Sequence, residues 1–267
     1  MDLSKVKLVV SDMDGTLLNS KGKVSDTFFE LYKEFEKHNI HFVAASGRQY
    51  HSIIQKLSPI KDQIVIIAEN GGITKQGDNE LLITDLPVHN INEFIPLIRE
   101  VKDVYAVLCG KDSAYIETRN ENFISMFSEY YNKYSVVDDL TKVMSDIFLK
   151  IAIYSFKSSE KDIYPHVKHF EKKFQVKVSG NNWLDLSHIN ANKGHALQHL
   201  QKKLGISKEE TLVFGDYNND LEMMEQSHFS FAMKNAHPNV IKAAKYHTKS
   251  NDELGVEYIL EKLLASR

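Results

Sequence analysis

Cysteine is nearly absent. Cys109 stands alone in 267 residues, which excludes an internal disulfide and leaves no CxxC pair for zinc. Nothing beside it suggests an activated thiolate, so it reads as a small buried hydrophobe. Long apolar runs are missing too, and none approaches the roughly 18 residues of a membrane-crossing helix. The opening stretch from Met1 to Val10 meets Asp12 and Asp14 before it can form a signal-peptide core. These absences predict a cytoplasmic protein with no membrane partner. Charge of one sign is not gathered anywhere: 33 basic and 36 acidic residues leave a formal net charge of -3, so no nucleic-acid footprint is present. Glycine and proline are sparse, at 12 and 5, which argues against a disordered or fibrous chain. Neither GxGxxG nor GxxxxGK[ST] occurs, so dinucleotide-binding and P-loop readings lose their usual signatures.

What is present suits a globular protein of two unequal domains, with 42% hydrophobic residues. Leu8 to Val10, Ile40 to Ala45 and Ile64 to Ala68 are apolar runs that stop at polar turns. Helical patterns separate them. The first has Phe28, Leu31, Tyr32 and Phe35 on one stripe and a possible capping box at Thr27 and Glu30. Near-continuous apolar strands alternating with helices indicate a doubly wound, Rossmann-like parallel sheet, whose ligands sit beyond the strands' carboxyl ends. From about residue 85 the texture changes. Strand-like runs at 105 to 108, 114 to 118, 147 to 156, 176 to 179 and 183 to 186 follow with fewer helices between them, near 91 to 100, 120 to 130 and 160 to 173. The expected organisation is therefore a core of residues 1–84 and 189–267 interrupted by an α+β cap of residues 85–188. The α/β rhythm resumes with Leu197, Leu200 and Leu204 on one helical stripe ending at Gly205, strands near 211 to 214 and 229 to 233, and a last helix from 253 to 264.

Chemistry-bearing residues gather at the strand ends. Asp12 and Asp14 lie two apart, so an extended backbone projects both to one side, and Gly15 lets the chain turn; alone, the pattern is equally a simple turn. Gly215-Asp216-Tyr217-Asn218-Asn219-Asp220 follows another short strand and could as well be a strand-to-helix turn capped by Asn219 or Asp220. If both clusters meet at one sheet edge, four carboxylates converge, each pair at ~4 Å repelling by roughly 4 kcal/mol at an effective dielectric of 20. A cation would offset this, and an all-oxygen site with retained waters favours Mg2+. Ser46 and Gly47 offer a hydroxyl and an unobstructed N–H at a strand end. Lys193 opens a helix, where a cation is unfavourable for the helix dipole unless it serves an anion.

In this order, Asp12-Met13-Asp14-Gly15-Thr16-Leu17, Ser46, Lys193-Gly194 and Gly215-Asp216 with Asn219-Asp220 resemble the four motifs of the haloacid dehalogenase-like phosphatases. Spacings of roughly 35, 145 and 25 residues, with a cap between the second and third motifs, resemble the Cof-type subclass (subclass IIB cap). The resemblance implies that Asp12 attacks phosphorus, and that Asp14 protonates the leaving oxygen and then activates water. It implies that Asp12, Asp14 (through its backbone carbonyl) and Asp216 hold Mg2+, that Ser46, Gly47, Lys193 and Asn219 bind the phosphate, and that Asp220 supports Lys193 or a metal-bound water. Asn70-Gly71 resembles a loop near the site but receives no role. Trp183-Leu184-Asp185-Leu186 and His188-Ile189-Asn190-Ala191 depart from the family's usual Glu-Ile pair and Gly-Val-Ser run.

The implied substrate is a small phosphorylated metabolite, such as a sugar phosphate. Phosphomutase-like transfer, a non-catalytic phospho-acceptor and a regulatory protein on a dead phosphatase fold are the rivals. Oligomeric state is not encoded in any feature identified. His195 and His199 have zinc-like spacing but lack the glutamate at 196 that a zincin needs, and a solvated face is preferred. Tyr130, Tyr131 and Tyr134 read as packing before pocket.

Overall fold

The computed structural model describes residues 2–267. Strands β1 (Leu8–Asp12), β2 (His41–Ala45) and β3 (Val65–Ala68) come first, each almost wholly buried, as expected for strands covered on both faces. A hairpin of β4 (Ile73–Gln76) and β5 (Asn79–Ile83) follows. The chain then builds β6 (Val104–Gly110), β7 (Ala114–Ile116), β8 (Tyr134–Val136), β9 (Phe148–Ser155), β10 (Phe174–Val178) and β11 (Trp183–His188). It ends with β12 (Thr211–Gly215), β13 (Phe229–Ala232) and β14 (Tyr246–His247).

Two sheets result. The first has the order β14-β13-β12-β1-β2-β3-β4-β5, parallel from β14 to β3 and antiparallel at β3–β4 and β4–β5. The chain runs outward from β1 through β2 and β3 on one side and from β12 through β14 on the other, so the order reverses between β1 and β12. That reversal opens a crevice at the carboxyl ends of these two strands. The second sheet, β10-β11-β9-β6-β7-β8, is antiparallel except for β7–β8. Its side chains alternate between two apolar clusters, with Leu108, Ile151 and Ile153 on one face and Val107, Cys109 and Ala152 on the other. Among the described residues no helix is long and apolar enough to cross a membrane.

Several local expectations change. The first helix is Asp26–Tyr32 and is capped by Ser25, not Thr27: Ser25 Oγ accepts from the N–H of Phe28 while donating to Glu257 in the last helix. The stretch 160 to 173 is not one helix but Ser159–Asp162, Tyr164–Val167 and a 3-10 segment Lys168–Lys172. Pro165 has no N–H to continue the first of these and restricts the residue before it. Asp220, not Asn219, is the N-cap residue of the helix Leu221–Met224, but its side chain bonds back to the preceding 3-10 segment and not to the helix. The hairpin β4–β5, β8 and β14 were not foreseen.

Candidate active site

β1, β2 and β12 are neighbours, so their carboxyl ends bring Asp12, Ser46 and Asp216 into one place. Lys193 arrives from behind, at the first turn of the helix Lys193–Leu204, whose start is capped by Asn192 accepting from the N–H of His195 at 2.8 Å. Its side chain is wholly buried. Nζ donates to Asp12 Oδ1 at 2.5 Å and to Asp220 Oδ1 at 2.7 Å, which resolves the misplaced cation at the helix start. The other Asp220 oxygen accepts from the N–H groups of Asp216, at 2.8 Å, and Tyr217, at 3.1 Å, folding the β12 loop around it. Thr16 Oγ1 donates to Asp216 at 3.2 Å. Gly15 adopts φ +76°, and any Cβ there would collide with the Asp216 carboxylate; glycine is what allows the two acidic loops to touch.

Carboxylate oxygens of Asp12, Asp216 and Asp220 lie within 4.8 Å of one another. Burial is the main force on Asp12 and Asp216. It pushes the Asp12 carboxyl up to about 7 against the pull of Lys193, and it raises Asp216 well above the usual carboxylate range, with Asp12 and Asp220 adding repulsion. The Lys193 ammonium is held charged by its two carboxylates despite desolvation. One cation thus faces three acids, and among the described residues Asp216 has only the Thr16 hydroxyl as a side-chain partner. A compact, oxygen-only donor set with surplus negative charge fits a small divalent cation.

Asp14 is elsewhere in the site. Its side chain is outside the acidic cluster, gripped at both oxygens by Arg48 at 2.7 and 2.6 Å. Asn219 Nδ2 donates to Asn70 Oδ1 at 2.9 Å, and Asn70 Nδ2 donates to Asp185 at 2.5 Å. Lys150 of β9, 2% exposed, donates to the Gly47 carbonyl at 2.8 Å and lies 3.1 Å from Glu69 and 3.2 Å from Asp185. A cavity of about 400 Å³ sits over these groups, reached by Asp12, Ser46, Asp216 and Asn219 at the carboxyl edge of the first sheet, by Tyr130 from the turn after the helix Glu121–Phe127 and by Trp183 from β11. Tyr130 and Tyr131 therefore face the cavity, whereas Tyr134 packs on Phe127 at 5.0 Å. His199 is exposed and His195 partly so. Cys109 is fully buried, and burial raises its thiol well above the ordinary range.

Arg48, Lys150, Asp185 and Asn70 have no role in the motif pattern of the sequence. A lysine inside the apolar run of β9 and an acid inside Trp183-Leu184-Asp185-Leu186 are legible signals, because a charged residue in a buried strand needs a partner. Arg48 gave only a weaker one, its place directly after Ser46-Gly47.

A cluster of carboxylates at the switch point of a doubly wound sheet lies where such folds place their ligand sites. A family model for haloacid dehalogenase-like hydrolases matches residues 9–260, and the chain belongs to that family. It is 33% identical over 266 residues to the 5-amino-6-(5-phospho-D-ribitylamino)uracil phosphatase YbjI of Escherichia coli, covering 97% of this chain and 96% of the relative. The structure of SMU.1108c from Streptococcus mutans superposes with a TM-score of 0.91 at 28% identity, covering 97% and 99% of the two chains. The subclass IIB sugar phosphatase BT4131 shares the fold, with a TM-score of 0.81 at 20% identity over 96% and 98%. The Rossmann-like core with an inserted α+β segment is the family's architecture.

Proposed function

We propose that this enzyme is a Mg2+-dependent phosphatase of small phosphorylated metabolites, sugar phosphates foremost, working in the cytoplasm. The observation that carries the reading is Lys193, buried between Asp12 and Asp220, beside an under-neutralised Asp216 that lines the cavity together with Asp12. Two named relatives point to the substrate class, one acting on a ribityl phosphate and one described as a sugar phosphatase.

Asp12 attacks phosphorus as the bond to the leaving oxygen breaks, giving an aspartyl-phosphate. Asp14 gives that oxygen a proton, then takes one from the water that hydrolyses the intermediate, and phosphate departs with Asp12 restored. Lys193, Ser46, the Gly47 N–H and Asn219 bind the phosphoryl oxygens, with Asp220 orienting Lys193. Asp12, Asp216 and the Asp14 carbonyl would hold Mg2+, which when bound offsets phosphoryl charge. Residues 85–188 act as the cap over a core of 1–84 and 189–267, excluding bulk water and selecting the leaving group.

The test is phosphate release from a panel of phosphometabolites and an aryl phosphate, with Mg2+ present. Turnover that disappears in Asp12→Asn is expected. No turnover by the wild type, or full activity in that variant, refutes the reading.

A further inference from the structure

Arg48 makes a contact set that the motif roles leave unexplained. It is 5% exposed, while the Asp14 side chain that it holds is 43% exposed. Nε and Nη2 each donate to a different Asp14 oxygen, a fork that fixes both the direction and the plane of the carboxyl group. Among the described residues these are the only side-chain hydrogen bonds to Asp14, so nothing else sets its orientation. The guanidinium face meets the inserted segment, and its remaining edge is shared between that segment and Ser52 of the core. Nη1 donates to the Glu129 carbonyl, and Cζ lies 4.4 Å from the ring centroid of Tyr130. Ser52 Oγ accepts from Nη1 at 3.3 Å, and the Arg48 N–H donates to Ser46 Oγ at 3.0 Å. Asp14, Arg48 and Tyr130 all line the cavity.

We infer that Arg48 is a positioning residue for Asp14 and ties proton delivery to the seating of residues 129 and 130. The inference rests on the proposed role of Asp14. In the phosphorylation step the Asp12–phosphorus bond forms, the phosphorus–leaving-group bond breaks, and one proton moves from Asp14 to the departing oxygen. Arg48 keeps all its protons; the two-pronged contact is that of ionised Asp14, the form left once the proton has gone to the departing oxygen, and in the proton-bearing form one Asp14 oxygen carries the proton while the other still accepts from Arg48. Its contribution is to hold the donor where that oxygen emerges. A lysine cannot substitute, since a point charge fixes one oxygen and not a plane.

The leaving group distinguishes positioning from general structural support. A 4-nitrophenolate departs without needing a proton, whereas an alkoxide needs one. kcat/KM, which reports the phosphorylation step, is therefore compared for 4-nitrophenyl phosphate and for an alkyl phosphate that the wild type turns over. Arg48→Met should lose roughly 100-fold on the alkyl ester and no more than about threefold on the aryl ester, the scale of a misplaced general acid. Arg48→Lys should show the same pattern. Tyr130→Leu strips the stacking face while leaving Arg48 in place, and should lose about tenfold on the alkyl ester alone. It also serves if Arg48→Met does not fold. Equal losses on both esters, or none, overturn the inference. Asp14→Asn separates the two levels: an alkyl-selective loss there with none in the Arg48 variants overturns the inference alone. An equal loss in Asp14→Asn overturns the role of Asp14 and the inference with it.

Discussion

Replacing Asp216 by Asn should change protein stability in opposite directions with and without Mg2+. Asp216 sits within 4.8 Å of the carboxylates of Asp12 and Asp220, and a single lysine serves that group. At that separation one carboxylate pair repels by about 3.5 kcal/mol at an effective dielectric of 20. Lys193 cancels part of this, so removing one charge should stabilise the metal-free protein by about 1–3 kcal/mol. Asn keeps an acceptor for Thr16, so no hydrogen bond is lost in exchange. With Mg2+ at about 1,000 times its dissociation constant the wild type gains about 4 kcal/mol, and a variant bound only at its own dissociation constant gains about 0.4. Thermal unfolding in EDTA and in Mg2+ reads the difference, each kcal/mol moving the midpoint by about 2–4 °C in a chain of this size. The variant should melt above the wild type in EDTA and below it in Mg2+. A variant less stable in EDTA, or one that keeps the wild-type Mg2+ shift, refutes the reasoning.

Lys193→Met strands two buried carboxylates and should cost roughly 3–5 kcal/mol in urea unfolding as well as abolishing phosphate release; a normal midpoint counts against it. Glu69 provides a pH test. No donor is aligned with either of its carboxylate oxygens, and burial lifts its carboxyl up to about 7. The native state then binds that proton more tightly than the unfolded chain. Wild-type stability should therefore fall as pH rises from about 4 through about 7, while Glu69→Gln escapes this loss. A stability difference between the two that is flat across that window would falsify the assignment. At Gly194 a Cβ would run into the backbone of Glu222, so Gly194→Ala should destabilise by about 1–3 kcal/mol, measured by the same unfolding; unchanged stability would show that the two helices can separate freely.

The parallel sheet was legible because each of its central strands is an apolar run ended by a polar turn, a pattern that survives without knowledge of neighbours. Asp12, Ser46 and Asp216 could be placed at one edge for the same reason. The β4–β5 hairpin was less legible: its burial runs from Ile73 and Thr74 inside to Gln76, Asn79 and Glu80 outside, and its turn at Gly77-Asp78 lies between polar stretches. Ser25 outcompetes Thr27 as a cap because Glu257, more than 200 positions away, holds its hydroxyl, and local sequence carries no trace of that. Arg48 was missed for a related reason. Its partners Asp14, Glu129 and Tyr130 come from two turns more than 100 residues apart in the chain, and only the fold brings them within reach.

The bridge from Lys150 to the Gly47 carbonyl and from Asp185 to Asn70 crosses from one sheet to the other. It sets a rule for exchanging specificity between members of this family. A graft of residues 85–188 onto a foreign core would carry the Lys150–Asp185 pair into a setting that need not supply Glu69 and Asn70, leaving the buried pair without the outside partners that complete it. A working chimera should be cut so that positions 69 and 70 travel with the graft, although they lie outside it in the chain.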